Sequence, residues 1–395
     1  MDRPLAPFHP PTRLLMGPGP SNLHPRVREA LAAPLLGHMD PLVLGLLTDV
    51  QGLLRDAFGT ENLLTLAVSG TGSAGIEACL AGLIEPGDRV VVEVHGFFGG
   101  RLGEMAARAG GAVTKVEAPW GRAADLEALR RAAREVKPRV IAVVHAETST
   151  GVAQPLAEVA EIARDVEADL LVDCVTSLGG MPLHADRLGL AAAASCSQKC
   201  LGSPPGLAPM TMSPGAAARL AARTHPVPFY LDLPLIARYW GGDHAYHHTL
   251  PVNLVYALRE GLRLAAEEGE SERHRRHARH GAALAAGLEE LGLEILAAPA
   301  DRLPMLTAVR IPAGVDDAAV RRRLLEEFHI EIGGGLGELK GRVWRIGLMG
   351  ETSRMNHVIL LLAALGRVLE RSPDAIGQAI DAAGAVADTQ AVGAR

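Results

Sequence analysis

Between residues 63 and 212 the chain repeats one pattern: a short apolar run, a turn, a helical stretch and the next apolar run. The runs lie at 63–68, 89–94, 112–116, 140–144, 169–173, 191–197 and 207–212. Helical stretches fall at 100–109, 125–136 and 155–166. Runs this short, without polar alternation, fit strands covered on both sides, and strands joined through helices run parallel. The pattern predicts an α/β fold with a buried, mostly parallel sheet and helices on both faces.

After Pro228 the pattern changes. Long helices are expected at 252–267 and 271–291, then a smaller α+β section with strands at 307–311 and 342–346 and helices at 316–328 and 353–369. A chain of 395 residues exceeds one small core. The expected division is an N-terminal arm over 1–22, a large domain over 23–255, a small C-terminal domain over 256–374 and a loosely held Ala/Gly-rich tail over 375–395. A net charge of −6 with dispersed Lys and Arg argues against nucleic acid or an anionic membrane as partner. The Pro-rich start has no apolar run of signal-peptide type and no stretch reaches membrane-span length, so a cytoplasmic protein is the expectation. Cys79, Cys174, Cys196 and Cys200 form no metal spacing and read as reduced, buried thiols.

In an open parallel sheet, ligands bind beyond the carboxyl ends of the strands. Several reactive residue types fall there. Gly70-Thr71-Gly72-Ser73 links a strand to a helix; its backbone N–H groups and hydroxyls form an anion site. Read as Gly70-x-Gly72-x-x-Gly75, with Glu93 ending the next strand, it also fits a dinucleotide fingerprint, and hence an NAD-linked oxidoreductase. Asp173 ends an apolar run, and His145 to Gly151 and His95 to Gly99 follow two others; Phe98 offers a ring that can stack on a flat cofactor or simply pack. Lys199 is the one charge between Cys196 and Gly206. Desolvation would lower its pKa and make its amine a nucleophile, suited to a Schiff base with pyridoxal phosphate; the alternative is a Lys that snorkels to water. An acid such as Asp173 would then pair with the pyridine nitrogen. Arg345, amid apolar strand residues, suits a substrate carboxylate or an internal ion pair. His274, His277 and His280, interleaved with Arg, read as a solvated basic helix face, and His247-His248 as neighbours pointing to opposite faces of a strand. No metal site is expected.

Taken together, Gly17-Pro18-Gly19-Pro20-Ser21-Asn22, Ser69 to Gly72, Glu147-Thr148-Ser149-Thr150-Gly151, Asp173-Cys174-Val175, Ser197-Gln198-Lys199, Tyr246-His247-His248-Thr249, Gly334 to Gly337 and Arg345 to Leu348 carry a resemblance. The chain resembles the alanine–glyoxylate / serine–pyruvate aminotransferases, class V of pyridoxal phosphate fold type I, over nearly its whole length. The resemblance implies a pyridoxal phosphate enzyme moving an amino group from alanine or serine to glyoxylate or pyruvate. It implies Lys199 as the Schiff-base lysine and Asp173 at the pyridine nitrogen. Thr71, Gly72, Gln198 and, from a second subunit, Tyr246 and Thr249 would hold the phosphate, with Thr148 at the pyridine hydroxyl; Ser73, Phe98 and Val175 would also contact the cofactor. Arg345 would take the substrate carboxylate, and the active form would be a homodimer with shared sites. Phe98 stands where the best-known members carry Trp. Ureidoglycine–glyoxylate aminotransferase, which shares the His-His-Thr motif, is a near alternative; a cysteine desulfurase is not favoured, because that family has His where this chain has Gln198.

Overall fold

The computed structural model describes residues 7–392. Its main sheet has seven strands: β1 (Leu64–Ser69), β2 (Arg89–Val94), β3 (Ala112–Glu117), β4 (Val140–Val144), β5 (Asp169–Asp173), β6 (Ala192–Ala194) and β7 (Leu207–Met212). The spatial order is β1-β7-β6-β5-β4-β2-β3. The run β6-β5-β4-β2-β3 is parallel, and β7 lies antiparallel between β1 and β6. β4 is built of Val, Ile and Ala that are shielded on both faces. Such strands need helices on either side, and the sequence supplies them. The register sets Val144 opposite Asp173, and Asp173 opposite Ala194. The carboxyl ends of β4, β5 and β6 therefore form one ledge.

Helix α1 (Pro41–Phe58) starts at Asp40, whose carboxylate accepts from the Leu42 N–H, and stops at Gly59 in the left-handed region. α2 (Gly72–Leu83) and α3 (Phe97–Arg108) follow β1 and β2 directly, so their N-termini point at the ledge. α3 begins at Phe97, earlier than the expected 100, which puts Phe98 in a helical first turn.

Two large apolar cores separate along the chain. The first runs from Leu47 to Leu262 and holds the sheet. α4 (Val252–Glu268) belongs to it through Val255, Leu258 and Leu262. The second takes Met16 from the arm and residues from Ala283 to Ala387. The change of core thus falls between Leu262 of α4 and Ala283 of α5 (Glu270–Glu290). The second core packs on a three-stranded antiparallel sheet: β8 (Leu306–Arg310), β9 (Gly333–Gly334) and β10 (Val343–Gly347), with β10 central. The arm joins the same unit, since Leu14–Leu15 pairs with Ile330–Glu331.

Two expectations are corrected. The tail is helical: α6 (Met355–Val368) is followed by α7 (Pro373–Val392), which buries Ala379, Ala383 and Ala387 as an i, i+4 stripe against α5. Gly287 of α5 allows this approach; a Cβ there would stand 3.0 Å from the Ala379 carbonyl oxygen and collide with Leu362. Residues 393–395 of the expected tail, and 1–6 of the arm, lie outside the described residues. The basic stretch of α5 is not a solvated face either. Arg273, His277 and His280 are buried. Arg273 Nε donates to the Gly179 carbonyl at 2.9 Å, and Arg276 donates to the Gly350 and Ser353 carbonyls at 3.0 and 2.8 Å. Carbonyls distant in sequence take the place of water. Among the described residues no His, Cys, Asp and Glu cluster fits a metal, and no helix is long and apolar enough to cross a membrane.

Candidate active site

Lys199 follows β6 and is held from two sides. The arm lies across it: Ser21 N donates to the Gln198 carbonyl at 3.0 Å, and Ser21 Oγ to the Lys199 carbonyl at 3.1 Å. Gly19, at φ +107°, lies so close that a Cβ there would be 3.1 Å from Lys199 Cγ. The ammonium end donates to Thr176 Oγ1 at 2.8 Å and Thr148 Oγ1 at 3.4 Å, and lies 5.7 Å from the centre of the Phe98 ring. Lys199 is 8% exposed, and burial lowers its pKa from the ordinary value of Lys. It does not snorkel.

Asp173 ends β5 on the same ledge. Its Oδ1 accepts from the Val175 N–H at 2.9 Å, and burial raises its pKa to about 6. Arg345, in the middle of β10, is buried; its Nε donates to the Gly334 carbonyl at 2.7 Å and one terminal nitrogen lies 3.5 Å from the Thr148 carbonyl. No carboxylate is paired with it among the described residues, which disposes of the internal ion pair. Burial lowers its pKa to about 10, so it stays cationic at neutral pH.

These groups share one cavity of about 340 Å³, lined by Thr71, Gly72, Ser73, Phe98, Thr148, Asp173, Val175, Gln198, Lys199 and Arg345. A larger cavity of about 520 Å³ lies beside Arg273, Arg276 and Glu268, but those charges are already bonded to one another and to backbone. The smaller one, which gathers Lys199, Asp173 and Arg345, is the candidate site. Tyr246 and Thr249 are not brought there; both are exposed, Tyr246 by 61%.

The dinucleotide alternative loses its acid. Glu93 is fully buried, 2.7 Å from His95 Nδ1 and 2.9 Å from Gln154 Nε2. Gly75 serves helix–strand packing, since a Cβ there would be 2.9 Å from Ala208 Cβ. His145, also buried, has its pKa lowered to about 4 by desolvation and is neutral.

The sequence reading missed three contributors. Thr176 orients Lys199. Arg101, one helical turn beyond Phe98, lines the cavity with its guanidinium over the Phe97 and Phe98 rings at 5.2 and 5.1 Å; the i, i+3 spacing was the available signal. Glu147, which opens the 147–151 motif, is fully buried, and its carboxylate accepts four bonds. Ser149 N and Oγ donate to one oxygen at 2.9 and 2.7 Å, and Phe98 N and Gly99 N donate to the other at 3.0 Å each. It thus caps α3 and sets the Phe98 ring.

The donor set fits pyridoxal phosphate. Thr71 precedes α2 and its side chain makes no capping bond, so hydroxyl and helix N-terminus are both free for a phosphate. Gln198 buries an amide oxygen without a partner, and turning the amide presents N–H donors to the same space. Gly72 allows close approach, since a Cβ there would be 2.8 Å from Val175 Cγ2. In that cavity Lys199 offers an amine that would suit an aldehyde, Asp173 a carboxyl group that would suit a pyridine nitrogen and Phe98 a ring that would suit a flat cofactor.

Comparison with known proteins points the same way. The profile of the Aminotransferase class-V family matches residues 46–338. The crystal structure of an alanine–glyoxylate aminotransferase from Nostoc sp. is 51% identical with a TM-score of 0.91, covering 93% of this chain and 98% of that one. The (S)-ureidoglycine–glyoxylate transaminase of Bacillus subtilis (strain 168) is 39% identical over 394 residues, 94% of this chain and 95% of the relative. The alanine–glyoxylate aminotransferase of Callithrix jacchus is 40% identical over 374 residues, 93% and 90% of the two chains.

Proposed function

Because the chain belongs to the class-V aminotransferase family, we propose that it transfers an amino group from alanine or serine to glyoxylate, with Lys199 as the reacting amine. It is a pyridoxal phosphate-dependent aminotransferase. The observation that carries the finer reading is the convergence of Lys199, Asp173 and Arg345 in one small cavity beneath Phe98. That volume has to hold cofactor and substrate together, near the lower end of ligand sites at about 300 Å³. A donor with a short side chain and a two-carbon acceptor suit it. Glyoxylate stands in the names of all three relatives above.

The cofactor, when bound, supplies a carbonyl for the amino group and a ring that takes up an electron pair. The chain's residues do the rest. Thr71, Gly72, Ser73 and Gln198 would hold the phosphate, and Val175 and Thr148, which line the same cavity, would bound the ring. Asp173 would be ionised beside a positively charged ring nitrogen and would favour the protonated form of that nitrogen. Arg345, its plane fixed through Nε, offers its remaining N–H groups to a carboxylate. Donor and acceptor both carry that group, so one guanidinium serves both halves of the reaction. The Lys199 amine, with its depressed pKa, would take the Cα proton of the donor and pass a proton to the cofactor's carbonyl carbon in one half-reaction, and would run the same transfer in reverse to the acceptor's Cα in the other; Thr176 and Thr148 aim it.

Tyr246 and Thr249 complete a partner's phosphate site in a homodimer with a two-fold axis. Their exposure supports this, as do the exposed Phe229, Tyr230, Leu35 and Leu42, since large apolar side chains on a free surface are costly. Ureidoglycine is the second donor reading. The Bacillus relative favours it, and Arg101 adds a donor on the cavity wall that a ureido carbonyl can use. A donor panel of alanine, serine and ureidoglycine, each with glyoxylate and pyruvate, tests the proposal. Alanine or serine with glyoxylate should lead in kcat/KM. A lead by ureidoglycine, or turnover by none, would overturn it.

A further inference from the structure

His247 and His248 were expected to diverge on a strand. They lie instead on an irregular segment, with Nδ1 of one ring 2.7 Å from Nδ1 of the other and the ring planes at 89°. The chain of contacts continues at both ends. His247 Nε2 is 2.9 Å from the Phe229 carbonyl oxygen, and His248 Nε2 is 2.6 Å from Ser69 Oγ. Ser69 is the last residue of β1 and abuts the phosphate loop.

With both rings neutral, elementary bookkeeping of donors fixes every proton. A carbonyl oxygen only accepts, so His247 carries its proton on Nε2. In a neutral ring Nδ1 is then an acceptor. His248 must therefore donate from its own Nδ1, which leaves its Nε2 as an acceptor. Ser69 must donate to it. Both rings are buried, at 7% and 9% exposure, and aromatic neighbours surround them. Phe229 stacks on His247 at 4.6 Å, while Tyr230 and Tyr239 pack against His248 at 5.1 and 5.9 Å. Burial, with His247 and His38 nearby, lowers the His248 pKa to about 4, in keeping with a neutral ring.

We infer that His247 and His248 are positioning residues. Together with Ser69 they form a one-way hydrogen-bond relay that locks the phosphate loop at Gly70–Ser73 to the segment carrying Tyr246 and Thr249. The consequence for the cofactor rests on the phosphate reading of Thr71–Ser73 given above; the relay itself does not. Under the dimer reading, the same relay ties a subunit's own phosphate loop to the segment it lends to its partner.

The relay is tested first in the cofactor-free protein, by long-range proton–nitrogen correlation spectra of ¹⁵N-histidine-labelled chain at neutral pH. His247→Gln and His248→Gln variants supply the assignments. The expected pattern is Nε2–H for His247 and Nδ1–H for His248, both neutral. His248 as Nε2–H, or either ring doubly protonated, overturns the relay whatever the cofactor. Its positioning role is tested by the affinity of the cofactor-free protein for pyridoxal phosphate, followed by equilibrium dialysis. Ser69→Ala and His248→Phe should each weaken binding by about tenfold, the scale of one well-placed hydrogen bond. His248→Gln, whose amide oxygen can still accept from Ser69, should recover most of it. Unchanged affinity in folded Ser69→Ala and His248→Phe proteins overturns the positioning role. If the wild-type chain bound no pyridoxal phosphate, the phosphate reading would fail, and with it the positioning role; the tautomer result would still decide the relay.

Discussion

Replacing Glu147 by Gln keeps the shape of the side chain and changes two acceptor oxygens into one acceptor and one donor. The carboxylate accepts from Ser149 N and Oγ on one side and from Phe98 N and Gly99 N on the other. The better amide orientation keeps its oxygen toward Phe98 and Gly99. Its NH₂ then faces the Ser149 N–H, which loses its partner at a cost of about 1–3 kcal/mol. The Phe98 and Gly99 bonds fall from charge-assisted to neutral, about 1 kcal/mol each, and part of the favourable charge at the α3 N-terminus is lost. The sum is about 3–5 kcal/mol. With an unfolding entropy near 0.8 kcal/mol/K for 395 residues, this corresponds to a Tm lower by about 4–6 °C. The Phe98 ring should also lose its fixed plane, seen as a weaker circular-dichroism band of the bound cofactor. Calorimetry and cofactor dichroism on the same preparation provide the assay. A variant within about 1 °C of wild type, with an unchanged dichroic band, would refute the claim that this carboxylate sets α3 and Phe98.

Arg345→Lys should lower the catalytic efficiency of each half-reaction by roughly tenfold to a few hundredfold, about 1.5–3 kcal/mol, because Lys cannot reproduce a two-pronged contact. Single-turnover traces for donor and acceptor check this, and a defect in only one would mean the two carboxylates bind apart. Asp173 has a folded pKa of about 6 against an ordinary 3.8, so between those values the folded chain keeps a proton the unfolded chain has released. Stability of the cofactor-free protein therefore falls as pH rises through that window, by about 1–3 kcal/mol, and stays lower above it. Asp173→Asn should make the cofactor-free protein more stable than wild type at pH 7.5 but not at pH 4, while abolishing transamination; thermal unfolding at both values decides it. Mixing Tyr246→Phe/Thr249→Ala chains with Lys199→Ala chains should restore part of the activity, since each mixed dimer regains one intact site. No restoration despite proven subunit exchange would place that segment in its own chain's site.

The sheet and most of the cavity were legible because their signals are local. Lys199, Asp173 and Gly70–Ser73 each follow an apolar strand, and strand ends in a parallel sheet converge. What stayed hidden depends on partners far along the chain. The Arg273–His280 stretch looked solvated because its partners are carbonyls at Gly179, Cys200, Gly350 and Ser353. Glu147 looked like one more motif letter because two of its donors lie on α3, at Phe98 and Gly99. His247 and His248 read as diverging neighbours because strand geometry sets adjacent side chains apart, and nothing local shows that the segment turns to meet Ser69. The α7 stripe of Ala379, Ala383 and Ala387 was present in the sequence, but Ala and Gly carry little hydrophobic contrast and the stripe did not stand out.

The central claim is that Lys199 is the amine that anchors pyridoxal phosphate. Borohydride reduction of the purified yellow protein, followed by peptide mapping, tests it most directly. The account predicts a single phosphopyridoxyl group on the peptide containing Lys199, and none on a Lys199→Ala chain treated alike. A label on Lys340, or no label on any lysine, would contradict it.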